Sequence, residues 1–210
     1  KIFKDVCSME YFLQGLTMGL AYVAPIGLQN LFVINTAMTQ KKSRVMLTAL
    51  IVIFFDVTLA LACFFGIGAI MERSQLITMA VLLIGSLIVI YIGYSLIKAD
   101  ASMQEKDVNI PIGKVITSAC VVTWFNPQAL IDGTMMLGAF RASLPDSAAA
   151  MFMWGVASAS CLWFSGISIV INLFSARFTD RTMKIINITC GAVIIFYGFK
   201  LMWNFINLVL

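Results

Sequence analysis

Six long apolar runs, at 11–38, 45–71, 76–97, 115–140, 148–174 and 185–210, leave only short connections between them. About 18 or more apolar residues in helical form are enough to cross a hydrocarbon core roughly 30 Å thick. The runs therefore predict an all-α membrane protein of six transmembrane helices, with the lipid bilayer as its solvent. The first ten residues are polar, and the apolar stretch behind them is too long and too marked by Gln and Asn for a cleaved signal peptide. That stretch is read as span one.

Composition narrows the chemistry. With 61% hydrophobic residues, 14 Lys and Arg, 10 Asp and Glu and a mean hydropathy of +0.97, no soluble catalytic domain fits beside the spans, and no enzymatic activity is expected. The absence of histidine removes the usual residue of zinc and general-base sites. The five cysteines, Cys7, Cys63, Cys120, Cys161 and Cys190, form no C-x-x-C pair, and four lie in apolar runs, where they read as small core residues. No metal, no cofactor and no nucleic acid is expected. The sequence also lacks the G-x-x-x-x-G-K-[ST] phosphate loop, so any energy-driven work by the chain is expected to draw on an ion gradient.

The longest polar connection, 98–114, divides the chain into two sets of three spans, giving one transporter domain over 1–210 with repeat one at 9–98, a loop at 99–113 and repeat two at 114–210. Pro25 is followed by Asn30 and Pro127 by Asp132, each polar residue five after the proline. Gly93-Tyr94-Ser95-Leu96 matches Gly198-Phe199-Lys200-Leu201 at the far end of each half. Three is an odd number of crossings, so the halves enter from opposite sides, as two inverted-topology three-helix repeats. Lys41, Lys42, Arg44, Lys98, Lys106, Lys114, Arg177, Arg181 and Lys184 lie on the connections after spans one, three and five. Lys1, Lys4, Arg73 and Arg141 lie on the other side, with Lys200 near the end of span six. The positive-inside rule then puts both termini outside.

Three ionisable side chains fall inside the spans: Asp56, Asp132 and Lys200. An aspartate near a helix centre costs about 2.5–3.5 kcal/mol on insertion scales and is expected to face a polar cavity or a partner. Asp56, 11 residues into span two, is placed near the midplane; the plainer alternative is a structural acid satisfied by Asn or Ser on a neighbouring helix. Pro25 and Pro127 sit mid-span, where proline removes a backbone hydrogen bond and predicts a helix break. Broken helices offer N–H groups and carbonyls that can grip the carboxylate and ammonium of an amino acid. Gly27, Gln29, Asn30, Asn126 and Asp132 border these breaks, and the plainer alternative is a kink re-satisfied by Asn and Gln. Gly15 and Gly19 form a small-xxx-small surface for helix packing. Trp124 and Trp163 are secondary candidates for an aromatic wall against a bound cation, and Lys200 is read as snorkelling to the interface. Protons suit the carboxylates as coupling ions, since an acid moved between wet and dry settings binds and releases one.

Gln14-Gly15, Pro25-Ile26-Gly27-Leu28-Gln29-Asn30-Leu31-Phe32-Val33, Asp56, Thr123-Trp124-Phe125-Asn126-Pro127 leading to Asp132, Ser158-Ala159-Ser160-Cys161-Leu162-Trp163-Phe164, and Ile185-Ile186-Asn187 with Gly191 occur in order along nearly the whole chain. In this the sequence resembles the lysine exporter (LysE) family, and within it the lysine/arginine-exporter (LysE/ArgO) branch. The resemblance implies export of basic amino acids such as L-arginine or L-lysine across the bacterial cytoplasmic (inner) membrane, driven by the membrane gradient. Leu28 stands where the family commonly has proline before Gln-Asn. A homodimer is left open. The competing readings are a transmembrane thiol-redox protein of similar architecture, which the lack of cysteine in span one disfavours, a cation exporter, and a structural membrane subunit.

Overall fold

The computed structural model describes residues 2–25, 27–66, 75–98, 111–174 and 180–209, and all regular structure among them is helical. In chain order the helices are α1 (Ile2–Val23), α2 (Leu28–Thr39), α3 (Lys42–Phe65), α4 (Gln75–Lys98), α5 (Ile112–Trp124), α6 (Pro127–Gly133), a π-helical turn (Thr134–Gly138), α7 (Ala139–Ser143), α8 (Asp146–Phe174) and α9 (Asp180–Val209). Most of the 99–113 loop lies outside the described residues, as do Met71, Arg73, Lys106, Arg177 and Leu210, and the side chains of Cys7, Pro127, Cys190 and Tyr197.

By length and apolar composition, α3 and α8 can each cross a membrane, and the bent pair Met9–Val23 with Leu28–Thr39, turned by 77° between its halves, makes a third candidate. Of the remaining expected crossings, the third and sixth lie in the unbroken helices α4 and α9, of 24 and 30 residues, and the fourth is interrupted. In the fourth, Phe125 and Asn126 separate α5 from α6, and the π-helical turn follows seven residues later. Local chemistry explains several boundaries. Gly66, at φ +113°, closes α3 in the left-handed conformation that suits glycine. Pro127 opens α6 at its first position, where a missing N–H leaves no gap. Asp146 places negative charge on the first turn of α8 and pairs with Arg141.

Association of helices in lipid depends on close packing, because lipid tails are as apolar as the helix surfaces. Two crossings bring backbones into contact. Gly15 and Gly19 of α1 meet Phe152, Val156 and Ala159 of α8, and Gly155 of α8 meets Phe12 and Leu16, so a Cβ at Gly15 or Gly155 would fall inside the facing backbone. In α4 and α9, a Cβ at Gly93 would stand 2.8 Å from the Gly191 carbonyl, and one at Gly191 2.7 Å from the Gly93 carbonyl. The packing role expected for Gly15 and Gly19 is thus realised against α8. α3 lies against α5 and α8. Where the end of α3, α7 and the start of α8 meet, Phe64, Phe152 and Phe140 stack at centroid separations of 5.5 and 5.4 Å. Phe54, Phe65, Tyr91, Trp154, Phe196 and Trp203 point outward instead, an apolar exterior suited to acyl chains.

Candidate functional site

Both helix interruptions open onto one cavity of about 130 Å³, some ten times what a single water needs. Tyr22, Pro25, Gly27, Gln29 and Asn30 line it from the first interruption, and Asn126, Gln128 and Asp132 from the second; Leu28, Leu31, Val89 and Ile194 supply apolar wall.

At the first interruption the chain leaves α1 at Val23 and starts α2 at Leu28. The end of a helix leaves carbonyls without intrahelical donors. Buried Asn30 turns back to supply them: its Nδ2 donates to the Val23 carbonyl at 2.9 Å and the Pro25 carbonyl at 2.7 Å. Its Oδ1 accepts from Trp163 Nε1 at 2.8 Å, which ties the interruption to α8. Trp163 therefore acts on the break through Asn30. Trp124 is placed differently, its Nε1 donating to Thr58 Oγ1 at 3.3 Å.

Asp56 is fully buried in α3 and does not line the cavity. Gln29 separates the two: its Nε2 donates to Asp56 Oδ1 at 3.0 Å and to Thr123 Oγ1 at 3.1 Å. Ser160 Oγ donates to Asp56 Oδ2 at 2.6 Å. The carboxylate is thus held by one amide and one hydroxyl, from α2 and α8, and charge-assisted bonds of this kind are about twice as strong as neutral ones. Ser160 and Thr123 are partners that residue spacing does not reveal, since 104 and 94 residues separate the bonded pairs.

Asp132 does face the cavity. It is half-buried, and Gln128 Nε2 donates to both of its oxygens, at 2.8 and 2.9 Å. Gln128 lies four residues earlier on the same helix, a spacing that brings side chains together and was readable in the sequence. Asn126, buried ahead of α6, makes no side-chain capping bond. Among the described residues Arg141 pairs with Asp146, and no cation pairs with Asp56 or Asp132. Lys200 is exposed on α9. Cys63 is buried beside Gly133 and its Sγ lies 3.8 Å from the Leu130 carbonyl, a packing position. Among the described residues no group of three or more His, Cys, Asp or Glu side chains could hold a metal ion.

The arrangement sets one carboxylate, the Asn126 amide and uncapped helix starts around the cavity. A model of the LysE type translocator family matches residues 20–204. The chain is 31% identical over 197 residues to the arginine exporter protein ArgO of Klebsiella pneumoniae subsp. pneumoniae, covering 91% of this chain and 92% of that protein. It is 29% identical over 198 residues to ArgO of Escherichia coli O157:H7, covering 91% and 93%, and 29% identical over 199 residues to ArgO of Salmonella schwarzengrund, covering 92% and 93%. No solved structure matches it. A match extending over 185 of the 210 residues and including both interruptions and the cavity between them places the chain in the LysE family of translocators.

Proposed function

We propose that this chain is a secondary exporter that carries amino acids out of the cytoplasm across the bacterial inner membrane, with basic amino acids such as L-arginine or L-lysine as preferred cargo. The observation that carries this reading is the single cavity shared by the two interruptions, with the Asp132 carboxylate among amide groups. A cationic side chain loses its hydration on entering such a site, and a carboxylate there offsets part of that cost. The names of the ArgO relatives support the same cargo.

The helix pairings fit two inverted three-helix repeats with breaks at Pro25, Gly27 and Pro127. α4 lies on α9, the third spans of each half, and α3 on α8, the second spans. Each half's first span also lies against the other half's second, α1 on α8 and α5 on α3. The Asp56–Ser160 bond joins α3 to α8, across the relation between the halves. In this reading Asp132 meets the cargo, and Asp56, reached through Gln29, carries the coupling proton; both termini lie outside, as the basic residues direct. The test is efflux of radiolabelled arginine, lysine, leucine and threonine from loaded vesicles containing the protein. Arginine or lysine should leave fastest, and faster still under an imposed proton gradient. Equal rates for arginine and leucine would remove basic cargo from the reading, and no gradient dependence would remove the proton.

A further inference from the structure

We infer that the open N-terminus of α2 and the Tyr22 hydroxyl form a carboxylate seat within the cavity, which takes the α-carboxylate of the cargo while Asp132 takes its positive charge. This rests on the cavity being an amino-acid site, and names what recognises the part common to all amino acids.

The first observation is Gly27. It is the residue before α2, and it gives the helix no side-chain cap. The first N–H groups of a helix have no intrahelical partner, and with the positive end of the helix dipole they bind anions. Nothing local requires glycine there. Its φ of −123° and ψ of −169° are open to any residue, and an added Cβ would meet nothing nearer than the Pro25 carbonyl at 4.0 Å. Serine, aspartate or asparagine in this conformation would cap the helix. What glycine preserves is an uncapped helix start opening on the cavity.

The second observation is independent of the first. Tyr22 is only 9% exposed and lines the same cavity, yet among the described residues its hydroxyl has no hydrogen-bond partner. Buried tyrosines usually place that hydroxyl on a partner, and leaving it without one is costly. The ring is held against Gly133, the neighbour of Asp132. A carboxylate in the cavity would supply the missing acceptor.

The other donors around the cavity sharpen the assignment. The amide of Gln29 is engaged by Asp56 and Thr123, that of Asn30 by the Val23 and Pro25 carbonyls, and that of Gln128 by Asp132. Among the described residues the donors left to meet an anion are the starts of α2 and α6, Tyr22 and the Asn126 amide, and of the two helix starts that of α2 lies beside Tyr22 in the chain.

The experiment measures binding to the purified full-length chain of two matched pairs, arginine with agmatine and leucine with isopentylamine, each differing by the carboxylate alone. Wild type should bind the carboxylate-bearing member of each pair at least about tenfold more tightly. Tyr22→Phe should reduce that preference severalfold. Gly27→Asp, which places a capping carboxylate in the seat, should abolish it while thermal stability is kept or raised. An unchanged preference in both variants, or no preference in wild type, overturns the seat and leaves the exporter reading standing. Failure of all four compounds to bind overturns the exporter reading and the seat with it.

Discussion

At the first interruption the residue five after the proline, Asn30, turns back and closes the end of α1; at the second, the residue in the corresponding place, Asp132, turns toward the cavity. The glutamines behave alike. Gln29 and Gln128 are each the second residue of the helix that follows the gap, and each donates Nε2 to an aspartate. Gln29 reaches across to Asp56 on α3, whereas Gln128 reaches along its own helix to Asp132. Asn30 is also tied to α8 through Trp163. One interruption is therefore fastened to three neighbouring elements, and the other keeps its acid on a bond within a single helix. The lesson is that a polar residue at the same distance from a proline can serve differently, Asn30 holding the bend and Asp132 facing the cavity.

Exchanging the two side chains tests that division most severely. Asn30→Asp removes both donors from the Val23 and Pro25 carbonyls and sets a buried carboxylate against them, at a cost of about 3–5 kcal/mol. Folded protein should largely disappear from detergent extracts; a yield and melting temperature near wild type would show that Asn30 does not hold the bend. Asp56→Asn comes next. It keeps the shape of a side chain held by Gln29 and Ser160 but removes its charge, so efflux should vanish at normal protein abundance, and wild-type efflux would exclude Asp56 from coupling. Asp132→Asn, the reverse exchange, should leave melting within about 0.5 kcal/mol of wild type, because its partner Gln128 lies on the same helix. Efflux of arginine should fall about tenfold, equivalent to roughly 1.4 kcal/mol. If Asp132→Asn unfolds the protein instead, the two interruptions are fastened alike. Trp163→Phe is the finer probe: loss of one bond to Asn30 should lower stability by about 1 kcal/mol with transport retained, as read by thermal unfolding alongside efflux. Smallest is the effect of replacing all five cysteines with alanine, for which export should remain near the wild-type rate; inactive but folded protein would return thiol chemistry to consideration.

The helical class of the chain could be read because lipid permits few alternatives to apolar runs of this length, and the family because its motifs persist in order from Gln14 to Gly191. The surroundings of the two acids were less legible. Asp56 stands out in the sequence as a charge in an apolar run, but its burial behind Gln29 follows from packing between helices far apart in the chain. Ser160 is an unremarkable serine in a run of small residues until α8 crosses α3. Tyr22 reads as one aromatic among many, since an unpartnered hydroxyl is a property of the folded surroundings. Gln128 was missed in the sequence, although its position four residues before Asp132 on one helix was the signal that could have found the pair.

The glycine crossings have a mechanical consequence. Where α1 meets α8 backbone touches backbone at Gly15 and Gly155, and where α4 meets α9 the glycines are packed tightly by isoleucine side chains and facing carbonyls, so each pair behaves as a stiff beam. Deformation within the molecule is then concentrated in the parts that lack such contacts: the gap before α6 and the wide turn at Thr134–Gly138. These are the joints of the frame, and the first of them borders the cavity.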